Sequence, residues 1–471
     1  MPEPAEKRNE SEHSSIAKTL AFIAICLGFF MVILDTTIAN VALHNIQEQL
    51  RTTITDLQWV IDGYSLVFAS FLLTAGALGD RLGSRGIFLS GLVLFTVASA
   101  ACGIAPTLWT LEVARVVQGI GAALLVPPSL ALLRHSFPDA RERARAIGIW
   151  GAIGGIAAAT GPVLGGFLVN MSSWRSVFLV NVPVGVLGFL LTLRYVSPAP
   201  RLSGRSFDVT GQIAGIVALG SLTLACIEGS QWGWSSLPII CAFAIFVVAT
   251  LAFLVTERHT TQPMLPLSLF ARPTFSAANT VGLLLNFGFY GQFFFMPLFF
   301  QQIRGYSPLI TGIALLPEAG VVLFGSFFSG RVTGRFGPRL PMVLGLAIGS
   351  IGFFATALVD ATTSYAIISI MLVAMGFGIS FTMPAMTTAV IEATPPERSG
   401  IGAAVLNASR QVGGVLGVAI LGSLVGPGRS FVPGMHIALV IAGASYLLGC
   451  ALSFFSVRRE HVPSEAQNMS V

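Results

Sequence analysis

GALGDRLGSRG, at positions 76–86, decides the fold because a partial copy of it, GRVTGRFGPR, recurs half a chain later at 330–339. The copy keeps a glycine or an arginine at four positions, which pair as Gly76 with Gly330, Arg81 with Arg335, Gly83 with Gly337 and Arg85 with Arg339. Asp80 is replaced by Gly334. Both stretches lie between long apolar runs. The repetition therefore predicts two similar helix bundles, each with a charged, glycine-rich hairpin between two of its helices.

The composition is that of a membrane protein. Hydrophobic residues make up 54% of the chain and charged residues only 10%, whereas a soluble domain carries about 25% charged residues. Mean hydropathy is +0.81. Fourteen apolar stretches are long enough to cross a bilayer as helix, which takes roughly 18 residues or more. They cover 19–43, 57–78, 87–105, 108–133, 146–169, 176–195, 209–228, 237–256, 275–300, 309–330, 340–359, 365–391, 401–425 and 434–456.

Lysine and arginine are distributed unevenly between the loops on the two sides. With the N-terminus inside, 20 of the 26 basic residues fall in cytoplasmic segments, as the positive-inside rule requires. We therefore predict a multi-pass protein with both termini in the cytoplasm. The same distribution accounts for the sequence pI of 9.2 without a nucleic-acid partner. Arginine outnumbers lysine 24 to 2, which is typical of a GC-rich bacterial genome, so the predicted location is a bacterial plasma membrane.

A second repeated motif sets the domain organisation. GIGAALLVP at 119–127 matches GFGISFTMP at 376–384, whereas the apolar runs within 209–256 match neither half. We predict cytoplasmic tails at 1–18 and 458–471, six-helix bundles at 19–196 and 267–457, and an inserted two-helix hairpin with its flanking loops at 197–266. Bundles repeated in this way commonly form transporters whose binding site lies at their interface.

Five motifs carry a resemblance that covers nearly the whole chain. They are LDTTIANVAL at 34–43, the stretch at 76–86, ARVVQGIGAA at 114–123, GPVLGG at 161–166 and WRSVFLVNVPVG at 174–185. In these motifs the chain resembles the fourteen-spanner drug:proton antiporters of the major facilitator superfamily, the EmrB/QacA-like multidrug efflux transporters. The resemblance implies an all-α major facilitator fold, with two six-helix bundles and an inserted hairpin. It also implies efflux of lipophilic, cationic compounds, driven by protons through alternating access.

Asp35 is the sharpest functional candidate. It lies about two thirds of the way along an otherwise uncharged apolar run. A charge at bilayer depth costs about 2.5–3.5 kcal/mol on insertion scales, and burial favours the neutral carboxyl. Asp35 is therefore predicted to take up and release a proton. The alternative is an acid in a polar network that only packs helices.

Arg115 and Asp62 are further proton-coupling candidates. Arg115 keeps its charge and needs acceptors, and Glu112 lies three residues earlier on the same helical face. The resemblance implies that Arg115 takes part in proton coupling, and the alternative is a static salt bridge with Glu112. Asp62 lies early in the second predicted span, near its external end. It is predicted to attract protons at the external opening of the transporter, and the alternative is a solvated residue at the helix end.

Two glycine-containing motifs are predicted to serve conformational change. The resemblance implies that Gly76, Asp80, Arg81, Gly83 and Arg85 form a loop that stabilises one state of the transporter, and the alternative is a plain topology anchor. It also implies that the motif consisting of Gly161, Pro162, Gly165 and Gly166 forms a seam between bundles that favours exchange over symport. Ordinary close packing of small residues is the alternative for that seam.

Glu318, next to Pro317, is the main candidate for binding cationic substrates, with a structural role as the alternative. Aromatic residues offer adaptable apolar and cation–π surfaces. The other predicted substrate-binding residues are Asn40, Gln118, Phe289, Tyr290 and Phe293. Arg410 is a second intramembrane base, and the sequence assigns it no partner.

The sequence argues against enzyme and cofactor chemistry. A nucleotide-binding P-loop needs Gly-Lys followed by Ser or Thr, whereas the only lysines, Lys7 and Lys18, lie in the predicted N-terminal tail and neither follows a glycine. The five cysteines lie in apolar runs and the six histidines are scattered, so no metal, cofactor or catalytic residue is predicted. A monomer is expected, and nothing in the chain requires the periplasmic adaptor with which some relatives pair. The alternatives are a dedicated exporter of one natural product, lipid or siderophore, a proton-coupled symporter, and a membrane-embedded enzyme or receptor.

Overall fold

The computed structural model describes residues 5–198, 208–260, 265, 267–395 and 399–457, and these ranges are helical with no strand among them. The predicted all-α fold class is therefore confirmed. The first helix, α1, is Ala5–Leu50 and extends back into the predicted N-terminal tail. The predicted C-terminal tail, 458–471, lies outside the described residues.

The first part of the chain is a run of long helices. They are α2 Ile54–Leu78, α3 Ser84–Gly103, α4 Leu108–Ser136, α5 Ala140–Met171, the short α6 Ser176–Leu179, α7 Asn181–Tyr195, α8 Val209–Trp232 and α9 Leu237–His259. A π-helical segment, Gly79–Gly83, joins α2 to α3.

The second part continues in the same way. After a short 3-10 helix, Leu267–Ala271, the helices are α10 Pro273–Leu298, α11 Pro308–Ala314, α12 Leu316–Phe336, α13 Arg339–Thr356, α14 Tyr365–Glu392, α15 Ser399–Ser423 and α16 Phe431–Ser456. A second π-helical segment, Phe299–Ile303, extends α10, and the 3-10 helix Gly428–Ser430 precedes α16.

The helices have the length and apolarity of membrane spans. Within the described residues, 13 helical stretches are long and apolar enough to cross a bilayer. A further helix, α2, is 25 residues long, and its last turn runs into the stretch that contains α3. Each of the predicted apolar spans thus corresponds to helix in the structure.

The chain forms two compact units. The first comprises Met1–Met264 and Met296–Ile313, and the second comprises Leu265–Phe295 and Ala314–Val471. The segment 296–313 belongs to the first unit because its glutamines bind α1: Gln301 Nε2 donates to the Val41 carbonyl at 3.0 Å, and Gln302 Nε2 donates to Gln47 Oε1 at 2.8 Å. The predicted bundle boundaries follow the sequence repeat and stay a prediction.

Helix α8 of the predicted hairpin packs antiparallel to α2 and is hydrogen-bonded to it. Polar contacts occur near both ends of the pair. At one end Trp59 Nε1 donates to Glu228 Oε1 at 2.8 Å, and at the other Gln212 Nε2 donates to the Ser70 carbonyl at 2.6 Å. These contacts place α8 alongside α2 within the first unit.

The two copies of the repeated stretch each contain one glycine with a positive φ. Gly83, just before α3, has φ of +103°, and Gly337, just before α13, has φ of +76°. L-amino acids with a Cβ rarely adopt these angles, whereas glycine does so at little cost. The shared glycines therefore reflect a backbone requirement that both copies keep.

We expect Gly83→Ala to destabilise the protein by about 1–3 kcal/mol, because alanine at this φ is strained. Gly86→Ala is the matched control: Gly86 lies inside α3 and a Cβ there meets nothing within 4 Å. The measurement is the thermal unfolding midpoint of each variant in detergent. Equal midpoints for the two variants would show that the turn at Gly83 is not constrained.

Candidate functional site

A buried ion pair lies at the centre of the first unit. Asp35 on α1 is 0% exposed and Arg115 on α4 is 1% exposed. Arg115 Nη1 donates to Asp35 Oδ2 in a short salt bridge. The sequence predicted both residues as functional, and the structure brings them together although they lie far apart in the chain.

Two amides complete the shell around the Asp35 carboxylate. Gln118 Nε2 and Asn181 Nδ2 each donate to Asp35 Oδ1 at 2.9 Å. Gln118 reaches the same carboxylate as Arg115 because it lies one helical turn further along α4. Asp35 thus accepts three hydrogen bonds, two from side chains of α4 and one from a side chain of α7.

Arg115 is satisfied by acceptors on two helices besides α1. Its Nε donates to the Val60 carbonyl of α2 at 2.9 Å, and its Nη1 donates to Gln118 Oε1 at 2.7 Å. Its guanidinium also lies over the Tyr64 ring, 4.3 Å from the centroid. The Asp35–Arg115 pair therefore joins four helices: Arg115 of α4 bonds α1 and α2, and Asp35 of α1 also accepts from Asn181 of α7.

The salt bridge between Arg115 and Glu112, the static alternative, is not made. Within the described residues, Arg115 forms its ion pair with Asp35. Glu112 is half-buried and lies in the electrostatic range of two other acids, Asp56 and Glu228. Spacing along one helix pointed to Glu112, whereas the tertiary fold supplies a carboxylate from another helix.

Two side chains of the Asp35 network were not predicted from the sequence. Asn181 binds Asp35, and Ser99 on α3 accepts a hydrogen bond from Gln118 Nε2 at 2.8 Å. Asn181 had a signal, because it is a lone amide in the apolar stretch WRSVFLVNVPVG at 174–185. Ser99 had none, since serine is common in membrane helices as a packing residue.

Asp62 on α2 is fully buried rather than solvated. It is 0% exposed, and neither carboxylate oxygen has a hydrogen-bond partner among the described residues. Cys226 on α8 lies within electrostatic range of its carboxylate. The α8 helix therefore covers Asp62, and the alternative of a solvated helix-end residue is wrong.

The loop predicted to act as a conformational switch lies where α2, α3 and α4 meet. A Cβ at Gly76 would contact Pro127 of α4 at 3.6 Å. Arg85 Nη2 donates to the Leu193 carbonyl at the end of α7, at 2.7 Å. Arg81 is exposed, and Asp80 is half-buried in the π-helical segment. The loop thus fastens the end of α7 to the start of α3.

The predicted antiporter seam is a close-packed face of α5. A Cβ at Gly165 would stand 2.8 Å from the Ile38 carbonyl oxygen, and one at Gly161 would overlap Thr37. A Cβ at Gly166 would overlap the Pro308 carbonyl oxygen, and the Pro162 carbonyl oxygen blocks the equivalent position of Gly312. Helix α5 therefore contacts α1 through Gly161 and Gly165. It contacts the 308–313 segment through Pro162 and Gly166.

The predicted substrate-binding residues are distributed over four helices, α1, α4, α10 and α12. Glu318 on α12 is 1% exposed, and Gln292 of α10, which the sequence did not single out, donates to its Oε1 at 2.7 Å. Phe289 stacks on Phe293 with ring centroids 5.6 Å apart. Asn40 donates to the Thr36 carbonyl of its own helix at 3.0 Å.

Tyr290 and Gln118 are the remaining two of the predicted substrate-binding residues. Tyr290 makes an edge contact with Phe289, with ring centroids 5.3 Å apart. Gln118 belongs to the Asp35 network. No cluster of His, Cys, Asp or Glu able to hold a metal ion occurs within the described part of the chain.

Comparison with known proteins identifies the family. The model of the Major Facilitator Superfamily matches residues 25–418. The chain belongs to this superfamily of membrane transporters. The predicted family and fold are confirmed, and the protein is a multi-pass membrane transporter of small molecules rather than an enzyme.

Its relatives are proteins of drug resistance. The chain is 38% identical to a methylenomycin A resistance protein of Streptomyces coelicolor, with 90% of each chain covered. It is 36% identical to a methylenomycin A resistance protein of Bacillus subtilis, covering 97% of this chain and 98% of the relative. It is 40% identical to the multidrug resistance protein Stp of Mycobacterium tuberculosis, covering 86% and 75%. The chain is therefore related to drug and antibiotic efflux transporters.

A solved structure shares the fold. A bacterial homologue of the human lysosomal transporter Spinster, in an inward-facing and unoccupied conformation, superposes with a TM-score of 0.68 at 18% identity. The match covers 95% of this chain and 99% of the other. At this identity the likeness shows the major facilitator fold alone.

We expect Arg115→Met to cost about 3–5 kcal/mol of stability, because the Asp35 carboxylate is then buried without its counter-charge. The double variant Asp35→Leu/Arg115→Met should recover most of that loss, since it removes both charges together. The measurement is thermal unfolding in detergent, with Glu112→Gln as the control on the same helix. A single variant as stable as the wild type would contradict the importance of the pair.

Proposed function

We propose that this protein is a proton-coupled antiporter that exports lipophilic, cationic drugs or toxic compounds by alternating access. The observation that carries the proposal is the Asp35 carboxylate, fully buried in a membrane helix and bound by Arg115, Gln118 and Asn181. An intramembrane acid of this kind commonly marks a proton relay. We place the protein in a bacterial plasma membrane with both termini in the cytoplasm.

Protonation of Asp35 would change the balance of the network. A neutral carboxyl no longer attracts the guanidinium, and Arg115 cannot lose its own proton. Arg115 then depends on its neutral acceptors, the Val60 carbonyl and Gln118 Oε1. Because these acceptors lie on α2 and α4 whereas Asp35 lies on α1, proton uptake would loosen α1 from its neighbours. This loosening is the proposed link between the proton and the conformational change.

Asp62 is proposed as a second proton-binding group. Its carboxylate is buried without a hydrogen-bond donor among the described residues, so a bound proton would relieve the cost of burying its charge. Glu112 of α4 lies within electrostatic range of two further acids, Asp56 of α2 and Glu228 of α8. They would concentrate protons at the predicted external opening.

The proton gradient is the proposed energy source. Each net charge that moves inward gains roughly 2.3 kcal/mol per 100 mV. A one-for-one exchange of a proton for a monovalent cation moves no net charge and is driven by the pH difference, so the membrane potential contributes when more than one proton enters per cation. Drug would enter from the cytoplasm or the inner leaflet while the acids are deprotonated. The bundles would rock outward, protons would bind, drug would leave, and the protonated carrier would reset. One copy of the chain suffices for this cycle, and no adaptor enters it.

The two glycine-rich motifs have proposed roles in that cycle. The loop with Asp80 and Arg85 would stabilise one end state, because Arg85 fastens α3 to the end of α7. The seam at Gly161 and Gly165 would exclude water and block proton leak. The support is that both positions approach α1 too closely to accommodate a Cβ.

Glu318 is the proposed recognition group for cationic substrates. Its Oε2 has no hydrogen-bond partner among the described residues, and Gln292 binds only its Oε1. A buried carboxylate with a free oxygen attracts a lipophilic cation, and Phe289 and Phe293 add aromatic surface on α10. Protons would compete with the drug for the same carboxylate.

A dedicated antibiotic exporter is the second candidate function. Its support is that several relatives carry the name of one antibiotic, methylenomycin A in two cases and tetracenomycin C in another, a Streptomyces glaucescens protein that is 33% identical. A resistance profile across unrelated compounds separates the candidates. Protection against one compound alone favours the dedicated exporter, whereas protection against many favours multidrug efflux.

We expect Asp35→Asn to abolish uncoupler-sensitive transport of a fluorescent cation in everted vesicles, because asparagine keeps the shape but cannot bind the coupling proton. Asp360→Asn is the matched control, since Asp360 is exposed in the loop after α13. Expression and thermal stability are measured for both variants. Full proton-driven efflux by a well-folded Asp35→Asn protein would refute the assignment.

We expect Glu318→Gln to reduce transport of the permanent cation ethidium at least about tenfold while sparing an uncharged dye, because only the cation gains from the carboxylate. Gln292→Leu should have the smaller effect, since it removes a hydrogen bond and keeps the charge. Transport rates in everted vesicles give the comparison. An equal loss for charged and uncharged dyes would point to a structural role for Glu318.

A further inference from the structure

Arg410 is a charged residue at the middle of a membrane helix. It lies on α15, about 16 Å from the start and about 20 Å from the end of the helix at 1.5 Å per residue. Its guanidinium keeps its charge under all physiological conditions. Such a charge at bilayer depth needs either an anion or water.

The chain provides Arg410 with weak acceptors only. Nη1 donates to Asn407 Oδ1 at 3.3 Å, and Nη2 contacts the Met383 sulfur at 3.4 Å. Nε has no partner among the described residues. A thioether is a poor acceptor, and 3.3 Å is beyond the usual range of a strong hydrogen bond. Within the described residues no carboxylate forms an ion pair with Arg410, in contrast to Arg115, which is paired at 1% exposure.

Helix α10 presents further unused polar groups to the same place. A Cβ at Gly282 would stand 3.1 Å from Arg410 Cγ, and one at Gly414, a turn beyond Arg410, would stand 3.1 Å from the Tyr290 ring. Asn286 lies one turn from both Gly282 and Tyr290, on the same face of α10. Its side chain is 1% exposed, and its Oδ1 has no hydrogen-bond partner among the described residues.

Glu318 is not the missing counter-ion. Its carboxylate binds Gln292, which lies two residues beyond Tyr290 and therefore on the opposite face of α10. Tyr290, by contrast, lies within electrostatic range of Arg410. The second unit thus has an acid on one side of α10 and an unneutralised base on the other.

We propose that Arg410, Asn286 and Tyr290 form a subsite that binds a carboxylate of an exported compound. The guanidinium offers paired N–H donors that match a carboxylate, and the Tyr290 hydroxyl adds a neutral donor. The free Asn286 Oδ1 is an acceptor, so it suits an ammonium or hydroxyl group of the compound beside its carboxylate. A lipid phosphate is excluded as the anion because Arg410 lies about 16 Å or more from either end of its helix. The inference rests on the proposed export function and extends its substrate class from cations to anionic and zwitterionic compounds.

The test compares two probes that differ in one charge: a xanthene dye with a free carboxylate and the methyl ester of the same dye. Transport is measured in everted vesicles for the wild type, Arg410→Gln and Arg410→Lys. We expect Arg410→Gln to lose at least about tenfold in transport of the carboxylate dye relative to the ester, the scale of one charge-assisted hydrogen-bonded pair. Arg410→Lys should retain part of the preference. Arg429→Gln, outside the α15 helix, is the control for loss of a positive charge.

Two results would overturn the proposal. One is an equal loss of both dyes in Arg410→Gln at unchanged thermal stability, which would give Arg410 a general role in the conformational cycle. The other is wild-type transport of the carboxylate dye by Arg410→Gln.

A binding measurement separates this inference from the proposed function. Fluorescence anisotropy of both dyes with the purified protein in detergent reads the subsite without any proton gradient. Weaker binding of the carboxylate dye alone by Arg410→Gln supports the subsite even if transport proves independent of protons. Equal binding by wild type and Arg410→Gln, or no binding of the carboxylate dye by the wild type, refutes it.

Discussion

The salt bridge between Asp35 and Arg115 is the interaction on which the first unit depends. Burying either charge without the other would carry a large desolvation free energy. The amides of Gln118 and Asn181 donate two further hydrogen bonds to the Asp35 carboxylate. Through this pair α1, α4 and α7 share one polar centre, and the Arg115 bond to the Val60 carbonyl adds α2. A single proton on Asp35 therefore alters the contacts of four helices at once.

The two units treat charge in different ways. The first neutralises its arginine with an internal acid, whereas the second keeps Glu318 and Arg410 on opposite faces of α10, each with only neutral partners among the described residues. The proposed roles follow this difference: proton coupling is proposed for the paired Asp35 of the first unit, and substrate recognition for Glu318 and Arg410 of the second.

The sequence predicted features that depend on composition and local pattern. Apolar runs gave the membrane helices, and the shared glycines at 83 and 337 marked two backbone turns with positive φ. Asp35 and Arg115 were found because charges are rare in such runs. Their mutual contact was not found, since helical spacing favoured Glu112 and only the tertiary fold brings α1 against α4. The burial of Asp62 and the partners Asn181, Ser99 and Gln292 likewise depend on which helices pack together, which periodicity does not encode.

The most direct test of the account is proton release on substrate binding. The purified protein in weakly buffered detergent is mixed with a cationic substrate, and a pH indicator reports the protons set free. The wild type should release protons when it binds the substrate, and a folded Asp35→Asn variant that still binds the substrate should release fewer. The same proton release from both proteins would show that Asp35 carries no coupling proton.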